Sequence, residues 1–298
     1  MSYNTILALV GAILLGALCG SVGSFTVLRR RSLVGDVIAH SALMGIVLAF
    51  LITGSKALPV LLIGALISGI LGSTLLVWIQ NNTKTKPDGA LVIVLATLFG
   101  FGIVLSRLAQ NSPHSASQAG LDSFLLGKLA GIVLQDVLSI LVVAVLALVT
   151  IALNYKELKV STFDPEFFGA MGGNPRAFDF LAQVLLTTAV VAAIPMAGVV
   201  LVAALTILPA ITARFWTHRC GVMVILASVL GAVGGASGVL LSSSAEGMPS
   251  GPIIIIVSGV FFTISLVFSP IRGVVAAART RRLQIQQVVQ RIEERARV

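Results

Sequence analysis

Long apolar runs separated by short polar stretches dominate this chain. Nine of them read as membrane-crossing helices: 5–28, 33–53, 57–80, 89–107, 131–154, 178–194, 198–213, 221–241 and 252–268. A helix rises about 1.5 Å per residue, so a hydrocarbon layer about 30 Å thick needs about 20 apolar residues. The runs 178–194 and 198–213 fall short of that length. Only a few residues around Pro195 separate them, and the second is interrupted again at Pro209. They read as two crossings, or as one crossing and a re-entrant piece. The fold expected is therefore an all-α integral membrane bundle of eight or nine transmembrane helices.

The charges orient this bundle. No basic residue precedes the first run, and Arg29, Arg30 and Arg31 follow it, so it is not a cleaved signal peptide. The positive-inside rule places those arginines in the cytoplasm and the N-terminus outside. Counting onward, Lys84, Lys86, Lys156, Lys159 and Arg176 fall inside. Arg214 and Arg219 do so only if 198–213 crosses. The basic tail, from Arg272 through Arg281, Arg282 and Arg297, is cytoplasmic on a count of nine, so charge favours an odd number. The membrane domain is then 1–271 and the cytosolic tail 272–298, where Leu283, Ile285, Val288, Val289 and Ile292 form an apolar stripe among polar residues.

Composition adds one exclusion. Of the 298 residues 57% are hydrophobic and 10% charged, with a mean hydropathy of +1.06; a soluble domain carries about 25% charged residues. The net charge of +9 invites a nucleic-acid reading, but aromatics are only 6% and the basic residues sit in short clusters between apolar runs. No nucleic-acid partner is implied, only membrane lipid. Cys19 and Cys220 give no disulfide framework. Small residues recur at fourfold spacing: Gly16, Gly20 and Ser24; Gly64, Ser68 and Gly72; Gly231 and Gly235; Gly234 and Gly238. Such ridges let helices approach closely, within one bundle or across a dimer interface.

Ionisable groups inside a span are costly and mark function. Asp36 and His40 lie four apart in the second run and so share one helix face. A carboxylate with an imidazole is an O/N ligand pair suited to Mn(II), Fe(II) or Zn(II). The competing reading makes Asp36 a helix cap and His40 a satisfied core histidine. Two ligands do not complete a metal site, so the rest must come from other helices, a partner subunit or water. Asp136, near the outer end of the fifth run, reads as a cap. Asp88, at the cytosolic mouth of the fourth, is a cap or a charge lining an exit path. His114 reads as a solvated loop residue or a way-station for metal, His218 as solvated, and Glu246 as solvated or a contact for an external partner, while 120–127, with Asp122, could be a short surface helix.

The segment 155–177 is the longest cytosolic insertion. Within it Phe163, Asp164, Pro165, Glu166 and Phe167, followed by Phe168, Gly169, Ala170, Met171 and Gly172, carry an Asp-Pro start and a Gly stop for a short helix. Its aromatics need cover, either from the helix ends or from a cytosolic partner. Phosphate-loop, nucleophile-elbow, Cys-x-x-Cys and His-Glu-x-x-His motifs are all missing. The chain does not read as an enzyme, so any ATPase must be another polypeptide.

These motifs together resemble the permease subunits of the bacterial metal-ion ABC transporters, the manganese/zinc/iron group. The resemblance rests on Leu28-Arg29-Arg30 with Leu33-Val34-Gly35-Asp36-Val37-Ile38-Ala39-His40-Ser41, and on Gly120-Leu121-Asp122-Ser123-Phe124-Leu125-Leu126-Gly127. It rests also on the Phe163–Gly172 motif, on Ile207-Leu208-Pro209-Ala210-Ile211-Thr212-Ala213-Arg214, and on Pro249-Ser250-Gly251-Pro252. It implies a multi-pass protein of the bacterial cytoplasmic membrane, importing a divalent metal and holding no permanent cofactor. It implies a second permease (a second copy or a sister subunit), two cytosolic ATPase subunits and an extracytoplasmic metal-binding protein. Asp36 and His40 would be pathway ligands, and Phe163–Gly172 the coupling helix in the ATPase groove. Zinc-type members tend to carry a histidine in the fourth span; Val94-Leu95-Ala96-Thr97-Leu98 has none, which points to manganese. The alternative is an ion-coupled secondary carrier acting without an ATPase, which predicts buried charges in several spans and inverted repeats.

Overall fold

The computed structural model describes residues 3–55, 57–110, 133–199, 201–244, 248, 250–271 and 273–276. The segment 120–127, His114, Asp122, Glu246 and most of the basic tail lie outside the described residues. Eleven helices are described, and eight are long and apolar enough to cross a membrane. In order they are α1 (Tyr3–Leu28), α2 (Val34–Thr53), α3 (Leu58–Asn82), α4 (Pro87–Gln110), α5 (Leu134–Leu153), α6 (Tyr155–Phe163), α7 (Pro165–Ala170), α8 (Pro175–Ala197), α9 (Val202–Trp216), α10 (Cys220–Ser242) and α11 (Ser250–Phe268). The short α6, α7 and α9 are not among those eight.

Small residues decide the packing. A Cβ built on Gly16 of α1 would lie 2.1 Å from the Gly231 carbonyl oxygen of α10, and one on Gly231 2.0 Å from that of Gly16. Gly20 meets Ala227 and Gly235 meets Ala12 in the same way, so α1 and α10 run antiparallel in backbone contact. Gly45 and Gly64 make the same close crossing between α2 and α3. Lipid is as apolar as leucine, so close packing replaces the hydrophobic effect as the cause of association. Each ridge marked in the sequence is thus used at least in part inside the bundle. Gly231→Val is expected to cost at least about 1–3 kcal/mol, because the clash is with backbone that no rotamer change relieves. Gly259→Ala, in open space, is expected to be neutral or slightly stabilising. Thermal unfolding of the two purified variants checks the contrast.

The uncertain stretch after Pro195 resolves as follows. Pro195 does not end α8, which runs on to Ala197; the break is at Gly198, whose φ of 80° is left-handed. Nor does Pro209 divide α9, which is continuous from Val202 to Trp216. Prolines are tolerated in such helices where neighbours satisfy the freed backbone. Ala197 packs against Gly251 at the start of α11. At its other end α9 reaches the end of α11, where Trp216 Nε1 donates to Ser265 Oγ at 2.9 Å and Ser269 Oγ donates to the Phe215 carbonyl. Its 15 residues rise only about 22 Å, and the buried Gly198 and Val199 lie in the non-helical link before it. Here the Leu201 and Val202 N–H groups donate to the Gly198 carbonyl at 3.2 and 3.1 Å. The α9 segment therefore joins the two faces of the bundle. With α10 antiparallel to both α1 and α11, α11 ends on the face opposite the start of α1.

One helix was not foreseen. Residues 155–163 form α6, which turns Leu158 and Ser161 into the protein, so the insertion after α5 is a helical hairpin.

Candidate functional site

Asp36 and His40 come from the first two turns of α2. The N-cap position belongs to Leu33, without a side-chain capping bond, and the Asp36 N–H donates to the Leu33 carbonyl at 3.2 Å. Asp36 is therefore not the helix cap. Its carboxylate stands in the first turn, where the helix dipole favours negative charge. On this helix Val37, Ile38, Ala39 and Ser41 are fully buried, whereas Asp36, His40 and Met44 are half-buried and Leu33 and Leu48 exposed. The pair lies on an open stripe along α2, beside α4.

His40 is not a satisfied core histidine either. Its ring meets Phe99 of α4 edge-on, centroids 4.8 Å apart and planes at 81°. Its Nδ1 is buried and has no hydrogen-bond partner among the described residues. A buried unpartnered nitrogen is costly, and here it sits one turn from the Asp36 carboxylate on the same helix. The arrangement suits a cation. No group of three or more His, Cys, Asp or Glu side chains that could hold a metal occurs among the described residues. Among the described residues the pair thus offers one oxygen and one nitrogen donor, with no third residue of those types grouped with it.

The remaining charged candidates stand apart from this pair. Asp88 is exposed in the first turn of α4. Asp136 has a capping role: from the first turn of α5 its carboxylate accepts from the N–H of the N-cap residue Val133 at 3.2 Å. His218 is exposed between α9 and α10.

The second candidate surface is the hairpin of α6 and α7. Asp164 caps α7, its Oδ1 accepting from the Phe167 N–H at 2.9 Å, with Pro165 next. Gly172, at φ 86°, ends the motif in the left-handed conformation. The start and stop signals in the sequence work as read. The aromatics divide, however. Phe168 packs edge-on against Phe178 of α8 at 5.3 Å and so anchors the hairpin. Phe163, Phe167 and Met171 are 60%, 54% and 69% exposed. Glu166 and Ala170 are exposed beside them.

Sequence reasoning missed Asp179 and treated Arg29 as a topology signal and as part of the motif carrying the resemblance, with no partner assigned. Arg29 is half-buried, its side chain largely covered, and ion-paired with Asp179 of α8. Burial pulls its guanidinium below its ordinary value, and the Asp179 charge opposes that shift. The visible signal was an acid at the edge of a predicted span.

The chain as a whole is similar to known proteins. Residues 1–269 match the family model described as the ABC 3 transport family. The chain is 43% identical over 275 residues to the manganese transport system membrane protein MntC of Bacillus subtilis, covering 92% of this chain and 63% of that protein. It is 40% identical over 279 residues to the zinc transport system membrane protein TroC of Treponema pallidum, covering 93% of each. Among solved structures it is similar to PsaBC from Streptococcus pneumoniae in complex with Fab, with a TM-score of 0.81, 30% identity, and 91% and 94% of the two chains covered.

Proposed function

Since this chain belongs to the ABC 3 transport family and is a multi-pass metal ABC transporter permease, not an enzyme, we propose that it imports a divalent metal, chiefly manganese, on a path through Asp36 and His40. One observation carries the reading. A carboxylate and an imidazole with a buried, unpartnered nitrogen lie on the open face of α2, in the first two turns of a helix long and apolar enough to cross a membrane. Facing lipid, such a pair is expensive; facing a second permease across that stripe, it is shielded and gains further ligands. The partner is a second copy or a sister permease. Two cytosolic ATPase subunits supply the energy, and an extracytoplasmic metal-binding protein delivers the ion. In this arrangement the start of α1 is outside, Arg30 and Arg31 are cytosolic, and Asp88 borders the exit.

The hairpin would be the ATPase contact. Phe163, Phe167 and Met171 are large apolar side chains exposed within one short hairpin, and exposed apolar surface of this kind supports an interaction site. Asp164 and Pro165 set the angle of the short helix, Glu166 and Ala170 lie on its exposed surface, and Gly172 closes it.

The donor set supports manganese among the divalent metals it suits. Mn(II) binds weakly in the divalent series, so a site seldom selects it by affinity. One carboxylate, one imidazole and no nearby thiolate suit it, with selection left mainly to the binding protein. Cys19 is in α1 and Cys220 starts α10. Relatives named for manganese, zinc and chelated iron transport keep the other metals in view. Uptake of radioactive manganese by the assembled complex in vesicles is expected to be saturable, with zinc and iron competing only in excess. Strong zinc transport without manganese transport would reassign the metal and leave the permease intact.

A further inference from the structure

We propose that Arg29 is the positioning residue through which the ATPase-facing hairpin moves the metal-bearing helix, an inference that rests on the transport reading above. The Arg29 side chain is only 9% exposed and spends its donors on three different residues. Nη1 pairs with Asp179 Oδ1 at 2.5 Å, Nη2 donates to Ser161 Oγ at 3.2 Å, and Nε donates to Thr162 Oγ1 at 3.1 Å. These partners lie 132 to 150 residues away in sequence.

The partners flank the hairpin on both sides. Ser161 and Thr162 immediately precede the exposed Phe163 at the end of α6. Asp179 immediately follows Phe178, the residue on which Phe168 of α7 rests. Both legs that carry Phe163 and Phe167 are therefore gripped by one guanidinium, whose planar fork is suited to several fixed acceptors at once. A displacement of the hairpin reaches Arg29 from α6 and from α8 together.

On its other side Arg29 begins the turn that becomes α2. Its N–H donates to the Phe25 carbonyl at 2.9 Å, the Arg31 N–H to Thr26 at 3.1 Å, the Val34 N–H to Arg31 at 3.1 Å and the Asp36 N–H to Leu33 at 3.2 Å. Arg30 holds the bend in the left-handed region, at φ 56°. Arg29 and Asp36 are thus joined by a short, hydrogen-bonded turn. The same arginine touches both ends of the coupling problem.

A plain structural staple would show the same bonds, so the test must separate coupling from folding. Asp179 is 46% exposed, and Asn keeps a side-chain oxygen that accepts from the Arg29 guanidinium in place of the carboxylate, so Asp179→Asn is the milder change and is expected to assemble. Arg29→Lys keeps the charge and loses the fork. The complete transporter is reconstituted in proteoliposomes, and ATP turnover and radioactive manganese uptake are measured on the same samples. Both variants are expected to keep ATP turnover while the metal moved per ATP falls at least about fivefold, the lower range of ordinary coupling effects. Should Arg29→Lys fail to assemble, Asp179→Asn carries the test. Unchanged metal per ATP, or uptake and turnover falling together with the amount of folded complex, overturns the inference alone. A wild-type complex that hydrolyses ATP and moves no divalent metal overturns the transport reading beneath it.

Discussion

Replacing Asp36 with Asn is expected to reduce metal uptake to background in a complex that still assembles, and His40→Ala to do the same. Loss of even an outer-shell partner of a metal ligand typically costs about 10–100-fold, so removal of a ligand is expected to cost at least that. Asp36→Asn is nearly isosteric, so the half-buried site keeps its packing while the anionic oxygen is lost. His40→Ala also removes the edge contact with Phe99, and His40→Gln, which fills more of the space, controls for that. Uptake per assembled complex, with assembly followed by co-purification, is the measurement. Wild-type uptake in both Asp36→Asn and His40→Ala would sink the pathway assignment.

The second large effect concerns the hairpin. Phe167→Asp puts a carboxylate into the hairpin surface that also exposes Phe163 and Met171. It is expected to detach the ATPase subunits or to uncouple their ATP turnover from uptake, with the permease itself folded. A charge buried in an apolar interface must be desolvated without a partner, which costs several kcal/mol. Phe168 provides the contrast. Its ring rests on Phe178, so Phe168→Ala should lower the thermal stability of the permease itself. Intact association and coupling in Phe167→Asp would rule out this surface as the contact.

Much of this was legible because a bilayer limits what a sequence can do. The lengths of the apolar runs matched the observed helices to within a few residues, since backbone polar groups in lipid must be satisfied within the helix. The spacing of Asp36 and His40 placed them one turn apart, and Asp164, Pro165 and Gly172 marked the ends of α7 through local backbone chemistry. The glycine ridges announced close crossings.

Other features needed the folded chain. That α9 joins the two faces depends on Trp216 meeting Ser265 and on Gly198 and Val199 being buried. The helix α6 is held by Leu158 inside the protein, and no strong sequence signal marks it. Burial of Arg29 against Asp179, Ser161 and Thr162 joins residues far apart in the chain. The underlying reason is common to them. Sequence by itself determined that the chain is helical, where its helices run, and which polar residues share a turn, because those follow from local spacing and the thickness of lipid. Beyond the faces marked by glycine ridges, which face of each helix meets protein was decided only by tertiary structure: lipid and protein interior are equally apolar, so hydrophobicity cannot tell them apart. The open stripe that carries Asp36 and His40 was visible only once the helices had packed.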